Sequence, residues 1–281
     1  MLLLAQSSFP RIGSLTIDNR GVLSLTNRPL TLQLQQLENR GIPTNIPRNL
    51  TYFAADTYFL DLLAYHDSRI RHQPNSIQNK PDGEAQLSAL TIMRALLNHF
   101  TNRDLRHGPF ILTLTDLHQS NIFVDSNWHI TSIIDLEWTC ARPIEMLRLP
   151  YWLTGQAIDN LVDENLEAYG TVYKEFMDIF ETEEILLGKT DISYTNILWQ
   201  GWKTGSFWYF HALDCPKGLY GLFIQHIQPR FADLDNKDVA EFERTVTPYW
   251  ATNMSELITL KIKDKEVYTS WLRKAFIDGI A

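Results

Sequence analysis

Between Phe110 and Asp135 the apolar residues no longer recur at helical spacing and run in short β-compatible blocks: FILTL, then NIFVD, then WHITSIID, with Ser126-Asn127 supplying a turn. This change of period constrains the fold most, because side chains that alternate every two positions cannot line one face of a helix. On both sides the pattern is helical. Upstream, Ala55, Tyr58, Phe59, Leu62 and Leu63 form one apolar stripe, and Leu87, Leu90, Met93, Leu97 and Phe100 form another. Downstream, everything after about Asp159 reads as helix, with Leu166, Tyr169, Tyr173, Phe176 and Phe180 as the clearest stripe.

Local signals fill in the rest of the chain. Residues 12–25 read as a hairpin turning at Asp18-Asn19-Arg20-Gly21. A helix from about Thr31 should end near Arg40, with Gly41 as its cap. Residues 67–83, rich in Pro, Asn and charge, read as an exposed loop. The expectation is an α+β, mainly helical domain over residues 1–281, with a hairpin at its site (110–138) and a helical subdomain over 159–281. An alternating, doubly wound sheet is excluded by the same pattern.

A chain of 281 residues with 44% apolar content can bury a substantial core. Its formal charge of -8 argues against a nucleic-acid surface, which needs clustered Lys and Arg. Cys140 and Cys215 have no ligand-like or disulfide-like spacing, so a reducing, cytoplasmic setting is expected. The opening Met-Leu-Leu-Leu-Ala is too short for a signal-peptide core, and no stretch approaches the roughly 20 apolar residues of a membrane span. Oligomeric state has no signature.

The segment LTLTDLHQSNIFVDSNWHITSIIDLEW (112–138) carries the chemistry. Asp116 and Asn121 stand as D-x-x-x-x-N before one strand, and Asp135 ends the strand that returns. Phosphoryl transfer needs a carboxylate to orient and deprotonate the attacking hydroxyl, and hard oxygen ligands for magnesium. Asp116 suits the first role, and Asn121 and Asp135 the second. An Asp followed five positions later by Asn arises about once by chance in a chain of this length, so the flanking strands and turn carry the inference. Nearby, His118 reads as support for the loop, and Glu137 as a residue on the face of Asp135, able to assist magnesium or bind a cationic substrate. The D-x-H at Asp116–His118 lacks the later segments of a metallophosphoesterase, and nothing around Cys140 marks a nucleophile. Glu181, Glu183 and Glu184 read as a solvated helix start, Lys261, Lys263 and Lys265 as a solvated face, and Trp199, Trp202, Trp208 and Tyr209 as aromatic core.

LTDLHQSNIFVD followed by IIDLEW resembles the catalytic and metal-binding loops of the aminoglycoside phosphotransferase family, kin of choline kinases and protein kinases. The similarity extends to FPRIGSLTID (9–18), TNRPLTLQLQQLENRGIP (26–43), RHQPN (71–75) and PYWLTG (150–155). It implies the C-terminal lobe of a protein-kinase-like fold and ATP- and magnesium-dependent phosphorylation of a small-molecule hydroxyl, with the acceptor unspecified. Two departures stand out. The family has His-Gly before the catalytic Asp, where this chain has Leu114-Thr115. A complete member also carries upstream a β-rich lobe of roughly 80–100 residues, with a phosphate-covering loop and a Lys. Here IGSL begins at Ile12, no G-x-G-x-x-G occurs, and the first Lys is Lys80. The expectation is therefore the larger lobe with the N-terminal β lobe missing, and the alternative to an enzyme is a catalytically incompetent kinase-derived binding or regulatory module.

Overall fold

A computed structural model describes residues 1–188 and 192–277. In chain order it contains α1 (Leu2–Ala5), β1 (Ser8–Phe9), β2 (Ser14–Ile17), β3 (Leu23–Asn27), α2 (Leu32–Asn39), α3 (Ala55–His72), α4 (Lys80–Ala95) and α5 (Leu97–Phe100). Then come β4 (Phe110–Leu114), β5 (Ile122–Val124), β6 (Ile130–Ile133) and β7 (Thr139–Pro143). The remainder is α6 (Asp163–Leu187), α7 (Tyr194–Thr204), α8 (Ser206–Asp214), α9 (Leu219–Leu222), α10 (Asn236–Val246) and α11 (Met254–Ile277). The architecture is α+β, mainly helical, with small antiparallel sheets. The chain divides into two compact units: Met1–Gln35, Ile46–Tyr58 and Asn98–Phe210 form the first, and Gln36–Asn45, Phe59–Leu97 and the chain from His211 form the second.

In the first unit β4 lies between β1 and β7, in register from Phe110 opposite Pro143 to Leu114 opposite Thr139. Gly13 exchanges backbone hydrogen bonds with Ala141 at 3.1 and 2.8 Å. A Cβ on Gly13 would stand 2.7 Å from the Asn27 carbonyl oxygen, so only glycine allows this approach. The β2–β3 hairpin turns through Asp18, whose Oδ1 accepts from the amides of Arg20 and Val22 at 2.8 and 2.9 Å. Along α6 the buried residues are Tyr169, Tyr173, Met177 and Phe180, three or four apart as an inward stripe requires. Tyr173 stacks on Trp202 at 4.5 Å and donates through Oη to the Leu198 carbonyl at 2.8 Å. Trp208 and Tyr209 are buried with them.

The acids read as a helix start lie instead near the end of α6. Glu184 accepts from the amides of Tyr194 and Thr195 at 2.5 and 3.0 Å, placing a carboxylate on the unsatisfied N–H groups that open α7.

In the second unit α4 packs against α9, α10 and α11. The predicted exposed loop 67–83 contracts to residues 73–79, because α3 continues to His72 and α4 starts at Lys80. The side chain of Asn79 caps α4 by accepting from the Asp82 amide at 3.0 Å, with Pro81 in the first turn. Loop-like composition here is helix-start chemistry, and Ser68, Ile70 and Ile77 are buried. Lys261, expected on a solvated face, is only 1% exposed; its ammonium donates to Asp264 Oδ2 at 2.9 Å and to the Arg71 carbonyl at 3.3 Å. The periodicity of α11 misleads at this position because a buried lysine that finds two acceptors is a tertiary event. Among the described residues no helix is long and apolar enough to cross a membrane.

Candidate active site

Two nested antiparallel ladders bring Asp116, Asn121 and Asp135 together. The outer pair is β4–β7, whose last rung, Leu114 opposite Thr139, fixes where the chain leaves and returns. Just beyond it the Thr115 amide and hydroxyl both donate to the Trp138 carbonyl, at 3.3 and 2.6 Å. The inner pair is β5–β6, starting at Ile122 opposite Ile133, and the Ile134 amide donates to the Asn121 carbonyl at 3.0 Å. Asp116 therefore sits immediately outside one ladder, and Asn121 and Asp135 immediately outside the other.

The loop from Asp116 to Asn121 is held by its own side chains. Asn121, 9% exposed, donates through Nδ2 to the Asp116 carbonyl at 3.1 Å, which leaves its Oδ1 as the acceptor atom, with Ser120 Oγ at 3.3 Å. The Asn121 amide donates to the His118 carbonyl at 2.9 Å. His118 caps the short turn that follows it, and its ring lies 5.8 Å from that of Trp152. Trp152 Nε1–H donates to the Leu117 carbonyl at 2.8 Å, a support for the loop that residue chemistry alone did not single out, although PYWLTG contains it.

Asp135 has φ 56° and ψ 51°, the left-handed region, where Asp is better tolerated than most residues. This ends β6 and turns the chain into a short 3-10 turn, Leu136–Trp138. Glu137 thus lies on a turn and not on a continued strand, yet its charge acts on Asp116. Burial raises the Asp116 pKa first, the negative charges of Glu137 and then Asp135 raise it further, and His118 opposes them. The carboxylates of Asp116 and Asp135 accept no hydrogen bond from the described residues. Their backbones are pinned while their reactive oxygens are uncommitted.

Leu114, Asp116, Ile134, Asp135 and Trp138 line a crevice of about 10 Å³, and none of its lining residues is Lys or Arg. The donor set fits magnesium, which typically takes one or two protein oxygens and completes its shell with water and phosphate; Asn121 Oδ1 and the Asp135 carboxylate supply two. Among the described residues no group of three or more His, Cys, Asp and Glu side chains is arranged to hold a metal. Cys140 is buried on β7, a strand the sequence did not reveal. Comparison with known proteins adds nothing to this picture: no family model, no curated protein and no solved structure matches the chain.

Proposed function

We propose that the segment from Phe110 to Pro143 is the reaction centre of a magnesium-dependent phosphotransferase that uses ATP to phosphorylate a small-molecule hydroxyl, with a protein-kinase-like larger lobe as its setting. One observation carries this: the Asn121 amide holds the Asp116 backbone at 3.1 Å while the hairpin register delivers Asp135 to the same place, with both carboxylates free of protein donors. Asp116 would accept the acceptor hydroxyl's proton, and its raised pKa strengthens it as a base once ionised. Asn121 and Asp135 would hold the magnesium, which when bound neutralises charge on the transferring phosphoryl group. No cation lines the crevice, so these residues supply base and metal ligands without a cationic hold on the phosphates.

The test is calorimetric titration of ATP into the chain with and without magnesium, followed by turnover assays across hydroxyl acceptors. Asp135→Asn, which keeps the left-handed preference and removes the charge, should abolish magnesium-dependent binding. Asp116→Asn should keep binding and lower turnover by roughly 10²–10⁴-fold. Binding that is indifferent to magnesium, or turnover indifferent to Asp116→Asn, would sink the proposal.

A second reading, a kinase-derived binding module without transfer, draws on the β5–β6 hairpin and the turn that follows it, where Phe123, Trp128, Ile130 and Leu136 are at least half exposed. Magnesium-dependent ATP binding with no turnover on any acceptor would favour it.

A further inference from the structure

The second unit contains a cavity of about 810 Å³, within the range of small-molecule sites, and none of Asp116, Asn121 and Asp135 lines it. Its charge is opposite to that of the chain. Arg40, Arg69 and Lys217 line it against one carboxylate, Asp82, in a protein of net charge -8. Asp82 is already engaged: it accepts from the Gln78 amide at 2.6 Å and from Gln86 Nε2 at 3.0 Å, at the start of α4. His66, also on the wall, is neutral, because burial lowers its pKa to about 3 against the opposing effect of the Leu213 carbonyl, 2.8 Å from its Nε2.

Arg69 is the anomaly. It is 8% exposed and forms no ion pair; its one side-chain partner is the neutral Oε1 of Gln86, which accepts from Nη2 at 2.6 Å. The Gln86 amide is locked in that orientation because Nε2 donates to the Ser76 carbonyl and to Asp82. The buried Nε of Arg69 has no acceptor, and Gln73 Oε1, on the same cavity wall, has no donor. A guanidinium keeps its charge at neutral pH, so burying one carries a desolvation cost, which Asp82, itself held by Gln78 and Gln86, offsets only at a distance and without an ion pair. The Arg69 side chain lines a cavity with room for an anion in direct contact with the guanidinium.

We infer that this cavity binds a small hydroxyl-bearing oxyanion, a phosphorylated or carboxylated metabolite, whose anionic group meets Arg69 and whose hydroxyl faces the polar wall at Gln73 and Asn75. Arg40 and Lys217, both exposed, stand at the mouth and draw the anion in. The site is independent of the phosphotransfer proposal: it uses none of the same residues and stands whether or not the chain transfers phosphate.

The experiment is calorimetric titration of the intact chain with glucose 6-phosphate, malate, inorganic phosphate and uncharged glucose, with the Arg69 Nε–H resonance followed by NMR. At least one hydroxylated oxyanion should bind and shift that resonance, inorganic phosphate should compete, and glucose should do neither. Preference between the phosphate ester and malate identifies the anionic group. Arg69→Gln should weaken binding by at least about tenfold, the loss of one charge-assisted contact, and should leave the unliganded melting temperature unchanged or higher, which the loss of a purely structural arginine would not. Should Arg69→Gln fail to fold, the rim pair Arg40→Ala with Lys217→Ala must weaken binding instead. No oxyanion bound at about 10 mM, or affinity unchanged in the variants that fold, would overturn the inference.

Discussion

Asp116 and Glu145 are carboxyls whose surroundings favour the protonated form, and the consequences have opposite value. For Asp116, burial, Glu137 and Asp135 raise the pKa, so the folded protein holds that proton more tightly than the unfolded chain does. Ionisation as pH rises through the folded value therefore costs stability, and Asp116→Asn should be no less stable than the parent at neutral pH while losing turnover. The acid limb of its rate profile should lie above the range of an ordinary aspartate. Glu145 has its pKa raised to about 7 by burial, against a backbone hydrogen bond from Asn102 that lowers it, and its Oε2 is buried without a partner. Protonation contributes stability that is full below the unfolded value near 4.5 and is lost as pH rises to about 7. The loss is of the order of 3 kcal/mol. Denaturant titrations at pH 5 and pH 8 should show that decline in the parent and not in Glu145→Gln; equal slopes in the two proteins would refute the assignment. Neither shift announces itself in the sequence, since both come from residues that pack against these carboxyls.

At the scale of elements, the catalytic loop depends on what grips it from outside. Trp152 reaches from the short turn Tyr151–Thr154 to the carbonyl of Leu117, the residue next to the proposed base. Trp152→Phe keeps an aromatic ring and removes the N–H. It should cost about 1 kcal/mol and speed exchange of the Asn121 amide about fivefold, with global stability otherwise intact; unchanged exchange would mean the loop holds itself. The hairpin was legible because FILTL, NIFVD and WHITSIID read at strand period with Ser126-Asn127 as the turn, which the structure shows closed by Asp125 accepting from the Asn127 and His129 amides at 2.8 and 2.9 Å. β7 was not, because Cys140, Ala141, Arg142 and Pro143 are all buried and the strand leaves no in-and-out alternation to read. Without β7 the proximity of Glu137 to Asp116 has no visible cause, since it is the β4–β7 ladder that returns the chain.

Across the whole molecule, each unit has a core of its own, and that of the first is unusually aromatic: Tyr169, Tyr173, Trp202 and Phe207 lie within about 6 Å of one another in successive ring contacts. Tyr173→Ala removes the stack on Trp202 and the bond to Leu198, and should destabilise by about 3–5 kcal/mol, read as a lowered denaturant midpoint; a cost below 1 kcal/mol would show that the stack carries little. By itself the sequence determined what depends on neighbours along the chain: the helical stripe of α6, the Gly41 end after α2, the hairpin and the D-x-x-x-x-N loop. Hydrophobic period and cap chemistry are local properties, and they survive in a string of letters. Only the tertiary structure decided that Lys261 is buried, that Glu184 near the end of α6 caps α7, and that Arg69 lines a cavity without forming an ion pair. Each of those depends on residues far apart in the chain meeting in space, and pairing at long range has no period for a sequence to display.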